Sequence, residues 1–283
     1  MLARGIVGLL RGVSLDRARA MGRRLGGLVF AVDAKHRAIA LENLRRAFPE
    51  KDDAWRLATA RRSMENLVEN FFEFFHLSDK DKETVLGRVC TTGIENIDEA
   101  GLRDKGYLYL TGHCGNWEVI ALAYTARGFL SSAVARPLDN PWLNDLIDGM
   151  RSRFGGKIIS KRNGMRQIIR ATASGECIGI LLDQNVDRKE GVFVDFFGEP
   201  ACTNKGLALL ARKGYAVVPG FAHRCGDLHQ VTIGKPLPVA RTDDEERDIV
   251  ENTALFTKTI EDHIRQHPEE WLWFHRRWKT RPL

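Results

Sequence analysis

The sequence has little of what would place a protein quickly. Its 283 residues hold five cysteines, Cys90, Cys114, Cys177, Cys202 and Cys225, an odd number, widely spaced and without a C-x-x-C pair. That excludes a disulfide framework and a cysteine-based structural zinc site. Long apolar runs are also missing. The longest stretch free of Asp, Glu, Lys and Arg, from Gly106 to Trp117, contains His113 and Asn116 and is far too short for a bilayer-crossing helix. Arg11, Arg17, Arg19, Arg23 and Arg24 break up any apolar leader, so no cleavable signal is expected and the chain should stay in the cytoplasm or on a membrane facing it. No G-x-S-x-G, H-E-x-x-H or phosphate-loop motif occurs, which removes the common serine hydrolase, zincin and P-loop chemistries. No internal repeat, low-complexity tract or proline-rich linker interrupts the chain.

What the chain does have is an uneven charge. The net charge is +6, but residues 1–51 carry +7 and residues 271–283 carry +4, leaving a mildly acidic middle. Basic ends suit nucleic acid, an anionic membrane surface or a phosphorylated substrate. In the first thirty residues Leu2, Ile6, Leu9, Leu10, Val13, Ala18, Met21, Leu25 and Leu28 recur at helical spacing among arginines. This is the pattern of a basic amphipathic helix lying in a membrane interface, or of a helix packed on its own domain with a solvated basic face. Trp271, Trp273 and Trp278 accompany the basic C-terminus, and tryptophan favours membrane interfaces. The pattern therefore points to anionic lipid, and no nucleic-acid module is recognisable. A second helix carries an apolar stripe, Met64, Leu67, Val68, Phe71, Phe72 and Phe75, suited to a core or to a hydrocarbon-binding groove.

From Gly106 onward the pattern becomes α/β. Short apolar runs at 107–110, 132–135, 157–159, 177–182 and 215–218 alternate with helical segments near 117–127, 141–153, 163–174 and 203–213. Asn140-Pro141 reads as an N-cap followed by proline, and Thr242 with Glu245 as a capping box opening a helix to about His267. This predicts residues 52–283 as one α/β domain with a largely parallel central sheet flanked by helices, preceded by a basic amphipathic segment, 1–51.

The chemistry is expected at Thr111-Gly112-His113-Cys114-Gly115-Asn116-Trp117-Glu118, where a strand ends and a helix begins. Ligands bind at that edge of open parallel sheets. A histidine there takes a proton from a hydroxyl, a carboxylate in the next helix turn accepts its other ring N–H, and N–H groups at the helix start face a developing oxyanion. Cys114 as a nucleophile is disfavoured, because adjacent residues at a turn rarely aim at one point.

The run His113-Cys114-Gly115-Asn116-Trp117-Glu118 matches the H-x-x-x-x-E signature of glycerolipid-type acyltransferases and in full resembles the lipid A late acyltransferases of lipopolysaccharide synthesis. Four more blocks resemble that family in order: Glu42 to Pro49, Ala135 to Pro141, Leu182 to Gly198, and Trp271 to Pro282. The resemblance implies a glycerolipid-acyltransferase-like fold without metal or cofactor, with an acyl carrier protein thioester as co-substrate. By analogy His113 would deprotonate an acceptor hydroxyl, Glu118 would orient and polarise His113, and the acyl chain would pass directly to a lipid A precursor without an acyl-enzyme. Asn116, Arg136, Asp183, Gln184, Lys205 and Arg276 are the candidate substrate-binding residues. Arg136 suits a substrate phosphate, with a surface pair to Asp139 as the alternative, and Asp183 and Gln184 organise the site. The N-terminus is shorter and more charged than the hydrophobic anchor of many relatives, so peripheral attachment to the cytoplasmic face of the inner membrane is expected. Two other readings stay open: the same chemistry on another glycolipid or lysophospholipid, and a thioesterase that activates water.

Overall fold

The computed structural model describes residues 12–160 and 164–282 together with Gly8. Of the apolar positions that suggest an N-terminal amphipathic helix, Leu2, Ile6, Leu9 and Leu10 lie outside the described residues. Ser14 caps helix α1 (Leu15–Val32), which is followed by α2 (Ala34–Ala47) and α3 (Asp53–Leu77). Along α1 the buried positions are Leu15, Ala18, Arg19, Gly22, Gly26 and Phe30. The two glycines let the backbones touch. A Cβ on Gly22 would lie 2.7 Å from the Cα of Glu69, and one on Gly26 2.6 Å from the Cα of Glu65. The apolar side chains Leu25, Leu28 and Val32 consequently point outward.

The α/β alternation folds as expected. After α4 (Lys82–Leu86), β1 (Val89–Thr92) and α5 (Glu95–Glu99), strands β2 (Tyr107–Thr111), β3 (Ser131–Ala135), β4 (Lys157–Ser160) and β5 (Cys177–Leu181) alternate with α6 (Trp117–Ala126), α7 (Pro141–Arg151) and α8 (Gly164–Ala173). The antiparallel hairpin β6 (Gly191–Phe196) and β7 (Glu199–Asn204) follows. Then come α9 (Gly206–Arg212), β8 (Val217–Cys225), β9 (Leu228–Ile233) and α10 (Glu245–Gln266). The central sheet has seven strands in the order β1-β9-β8-β2-β5-β3-β4, parallel throughout except for the β8–β9 pair.

Alternate strand residues pack against different layers. Tyr107, Tyr109, Cys177 and Val218 meet α6 and α7, whereas Leu108, Leu110, Ile178 and Val217 join the core under α8, α9 and α10. Ala40, Leu44, Ala47 and Phe48 belong to that second core. Residue 51 is therefore no break in packing among the described residues, and α1 and α2 belong to one domain with the sheet. Asn140 caps α7 with Pro141 at its first turn, as the sequence predicts. Helix α10 starts elsewhere than expected: its cap is Asp244, which accepts from the Arg247 N–H, while the Thr242 hydroxyl donates to Asp248. The reason is local, since an aspartate directly before the first turn caps it better than a threonine two residues upstream.

The stripe on α3 is also turned from its expected position. Ser63, Asn66, Glu69, Asn70 and Glu73 are buried together with Met64, Phe74 and Leu77, while Leu67, Val68, Phe71, Phe72 and Phe75 are only half-buried.

Candidate active site

Strand β2 delivers the chain to Gly112–Gly115, and Asn116 starts α6 by accepting from the Val119 N–H. Gly115 sits at φ +57°, and a Cβ there would lie 2.5 Å from the carbonyl of Ala222, so the turn requires glycine. Its backbone is pinned from two sides. Asn70 donates to the Gly115 carbonyl (2.8 Å), and the Gly115 N–H donates to the carbonyl of Glu270 (3.1 Å).

The partner of His113 comes from the neighbouring strand. Asp183, just past β5, meets the His113 ring with Oδ1 at 2.8 Å from Nδ1, and its Oδ2 accepts from the His113 backbone N–H (2.7 Å) and the Trp271 indole N–H (2.7 Å). Burial alone would raise the Asp183 pKa. The nearby imidazole and these hydrogen bonds outweigh burial and bring it down to about 2. A carboxylate on Nδ1 holds the proton there and leaves the Nε2 lone pair facing outward. Nε2 lies 3.5 Å from the Gln184 side-chain amide nitrogen, and Trp117 packs edge-on against the imidazole.

Glu118 does something else. Its carboxylate is gripped by Arg151 at 2.8 and 2.5 Å across α6 and α7, and it accepts from the Trp117 indole N–H (3.2 Å). The expectation that Glu118 orients His113 is therefore corrected to Asp183. Glu118 lies on the flank of α6 that faces α7, whereas the His113 Nδ1 faces β5.

The other expected residues separate by burial. Arg136 and Gln184 line a cavity of about 1420 Å³ with His113, Trp117, Glu118 and Arg151. Arg136 is highly exposed at its mouth, 3.1 Å from Asp139. Asn116 is buried, and its amide donates to Glu73 and to the Asn70 carbonyl, so it shapes the turn and does not line the cavity. Lys205 and Arg276 do not line it either; Arg276 is exposed, and Lys205 precedes α9. The Cys114 thiol is buried and pushed well up by that burial, which leaves no thiolate for attack. Among the described residues no group of His, Cys, Asp and Glu is arranged to hold a metal ion.

Several residues that sequence reasoning missed build this site from afar. The carbonyls of Trp271, Trp273 and His275 accept from Ser63, Asn43 and Asn43 again. The segment they hold supplies the Trp271 indole and His275, whose Nε2 accepts from the Asn185 N–H (2.8 Å). Burial lowers the His275 pKa to about 4, so its ring is neutral. The following Arg277 is fully buried, donating to the Cys202 carbonyl and the Thr203 hydroxyl under the Phe196 ring. Glu73, on the buried face of α3, accepts from Arg19, Arg224, His229 and Asn116, tying α1, β8 and β9 to the start of α6. The one available signal was the position of Asn43 and Trp271 inside the family-like blocks.

At the carboxyl edge of a parallel sheet, a carboxylate-bound histidine over a cavity has the chemistry to accept a proton from a hydroxyl. The family model for bacterial lipid A biosynthesis acyltransferases matches residues 2–280. The chain belongs to that family and is an O-acyltransferase. It is 26% identical over 259 residues to the lipid A biosynthesis myristoyltransferase of Escherichia coli, covering 91% of this chain and 80% of that one. It is 27% identical over 270 residues to the lipid A biosynthesis lauroyltransferase of the same organism, covering 93% and 85%. A lipid A biosynthesis acyltransferase of Haemophilus influenzae is 24% identical over 248 residues, covering 87% and 77%.

Proposed function

We propose that the enzyme moves a fatty acyl chain from the thioester of acyl carrier protein to a hydroxyl of a lipid A precursor, with His113 as general base and Asp183 as the group that orients it. The carrying observation is the bond of His113 Nδ1 to Asp183 with Nε2 turned to the cavity. Nε2 takes the acceptor hydroxyl proton as the oxygen attacks the thioester carbon. The tetrahedral intermediate then expels the thiolate, which receives that proton from the imidazolium. The products are one ester and one thiol, with no acyl-enzyme. A positioned base supplies roughly 10²–10⁴-fold, and substrate placement and oxyanion donors supply the remainder. Arg136 at the mouth suits a phosphate of the acceptor.

The outward Leu25, Leu28 and Val32 of α1, with Arg17 and Arg24 beside them, support peripheral docking on an anionic membrane, taken here as the cytoplasmic face of the inner membrane. Among the described residues no helix is long and apolar enough to cross a membrane.

The test is to incubate the protein with acylated carrier protein and a lipid A precursor and weigh the lipid. A mass gain of one acyl group is expected, together with loss of about 10²-fold or more of the rate in His113→Ala. No mass gain with any chain overturns the acceptor. Release of free fatty acid faster than transfer makes the enzyme a thioesterase.

A further inference from the structure

Two histidines line the cavity, His113 and His275. They flank one dipeptide. The Gln184 side-chain nitrogen lies 3.5 Å from His113 Nε2, and the next residue, Asn185, donates its backbone N–H to His275 Nε2 (2.8 Å). A backbone N–H can only donate, so His275 must present the Nε2 lone pair to it, and the proton of the neutral ring sits on Nδ1. Burial lowers the His275 pKa to about 4, with Arg277, His113 and Lys279 acting in the same direction against Asp183, so the ring is neutral at working pH. Its Nδ1 has no hydrogen-bond partner among the described residues. The two rings are thus arranged in opposite senses. His113 has Nδ1 tied to Asp183 and a free lone pair; His275 has its lone pair tied to Asn185 and a free N–H. Both ends of that second arrangement are anchored. Asn43 donates to the His275 carbonyl (2.6 Å), and the Asn185 side chain accepts from the Thr280 N–H (3.1 Å) and donates to the Thr280 hydroxyl (3.1 Å).

Attack on a thioester puts negative charge on the carbonyl oxygen, which then needs a donor. Amides of the turn after β2 are only partly free to serve. The N–H groups of His113, Gly115 and Val119 already donate to Asp183, the Glu270 carbonyl and Asn116. We propose that His275 is a second catalytic residue, its neutral Nδ1–H donating to the thioester carbonyl oxygen while His113 takes the proton of the acceptor hydroxyl. As the acceptor oxygen bonds to the carbonyl carbon, the C=O π pair moves onto oxygen and is held by the Nδ1–H. When the C–S bond breaks, that pair re-forms the carbonyl and the thiolate takes the proton from His113. His275 ends with the proton it began with. A ring that stays neutral suits this role, because it polarises the carbonyl without giving up its proton. A single uncharged donor is a poor match for an acceptor phosphate, which a guanidinium such as Arg136 suits better.

This inference rests on the acyl-transfer reading, and two measurements keep them separable. The first uses a pair of substitutions, because a glutamine amide reaches the place of Nε2 and an asparagine amide the place of Nδ1. His275→Gln keeps an acceptor for the Asn185 N–H and loses the Nδ1 donor; His275→Asn does the reverse. With carrier-protein thioester and lipid acceptor, kcat of His275→Gln should fall by about 10²–10³-fold at little change in KM, and His275→Asn should retain more of the rate. A greater loss in His275→Asn, or equal losses, overturns the proposal and leaves His275 as a clamp on residue 185. The second measurement needs neither turnover nor acceptor. Infrared difference spectra are taken of the thioester, isotope-labelled at its carbonyl carbon, bound to the full-length His113→Ala protein. The carbonyl band should lie at lower frequency than in solution, and adding His275→Gln should remove that shift. A band that His275→Gln does not move refutes the donor role. A band that moves as expected, in an enzyme that acylates no lipid acceptor, supports the donor role and refutes the transfer reading alone.

Discussion

The imidazole of His113 is fixed by a residue 70 positions away in the chain, and that choice follows from hydrogen-bond supply. Asp183 is buried with three donors on its two oxygens, so its charge is fully satisfied without solvent and it stays ionised. Glu118 has a guanidinium and an indole instead and has no need of the histidine. Replacing Asp183 with asparagine keeps the shape but offers an amide where an acceptor is needed, which favours the tautomer with Nδ1 unprotonated. The kcat of Asp183→Asn should fall by about 10²–10⁴-fold while the KM for the acceptor changes little. Steady-state kinetics at saturating donor check this, and an unchanged kcat would return the orienting role to Glu118. His113 was legible in the sequence because a glycine-flanked histidine at a strand-to-helix junction is a local pattern. Its partner was not, because which carboxylate meets the ring depends on β2 and β5 being neighbours, and strand order is not written in spacing.

Helices show the same division. The strands and helices of the α/β half were readable because each buries one continuous apolar surface, and the pairs that straddle Asn140-Pro141 or Gly112–Gly115 end on local signals. Helix α3 is legible as a helix but its buried face is not, because its phenylalanines dominate any apolar count whereas much of its buried side is polar: Ser63, Asn66 and Asn70 bond backbone carbonyls of the C-terminal segment and of Gly115, and Glu73 gathers Arg19, Arg224 and His229. Burial would raise the Glu73 pKa, but the cations and the His229 hydrogen bond hold it well below the usual range. Burial also pushes His229 down, so its neutral ring serves as a donor. A polar interface of this kind leaves no periodic signature. Helix α1 meets α3 through Gly22 and Gly26, which a propensity argument would count as helix weakeners. Gly26→Ala should nonetheless destabilise the protein by roughly 1–3 kcal/mol, because its Cβ would lie 2.6 Å from the Cα of Glu65 and 2.8 Å from the Met64 carbonyl. Urea unfolding checks the sign: a gain in stability, as expected for an exposed helical glycine, would show that the two helices are not in backbone contact.

At the scale of the whole molecule, the C-terminal segment is held from one side by Asn43 of α2 and by Ser63 and Asn66 of α3, and from the other by the His113 carbonyl and Asp183. Its entry point is Glu270, whose carbonyl accepts from Gly115 and whose carboxylate accepts from the Arg224 N–H (2.8 Å). Burial raises the Glu270 pKa to about 7. Between pH 4.5 and 7 the folded state then binds more protons than the unfolded one, so this group's contribution to stability falls as pH rises through that window. Above pH 7 the cost is complete, about 3 kcal/mol. His263 and His275, each lowered to about 4 by burial, act in the opposite sense, since the unfolded rings bind protons that the folded ones refuse. Their contribution grows from about pH 4 to the ordinary histidine pKa near 6.5. The wild-type pH profile mixes the two, and the difference between wild type and Glu270→Gln isolates the glutamate. Glu270→Gln should match the wild type near pH 4.5 and become progressively more stable than it up to pH 8. Curves that run parallel across this range would mean that the carboxylate enters the folded state already compensated, and that the closure of the C-terminal segment over His113 is not sensitive to pH at this point.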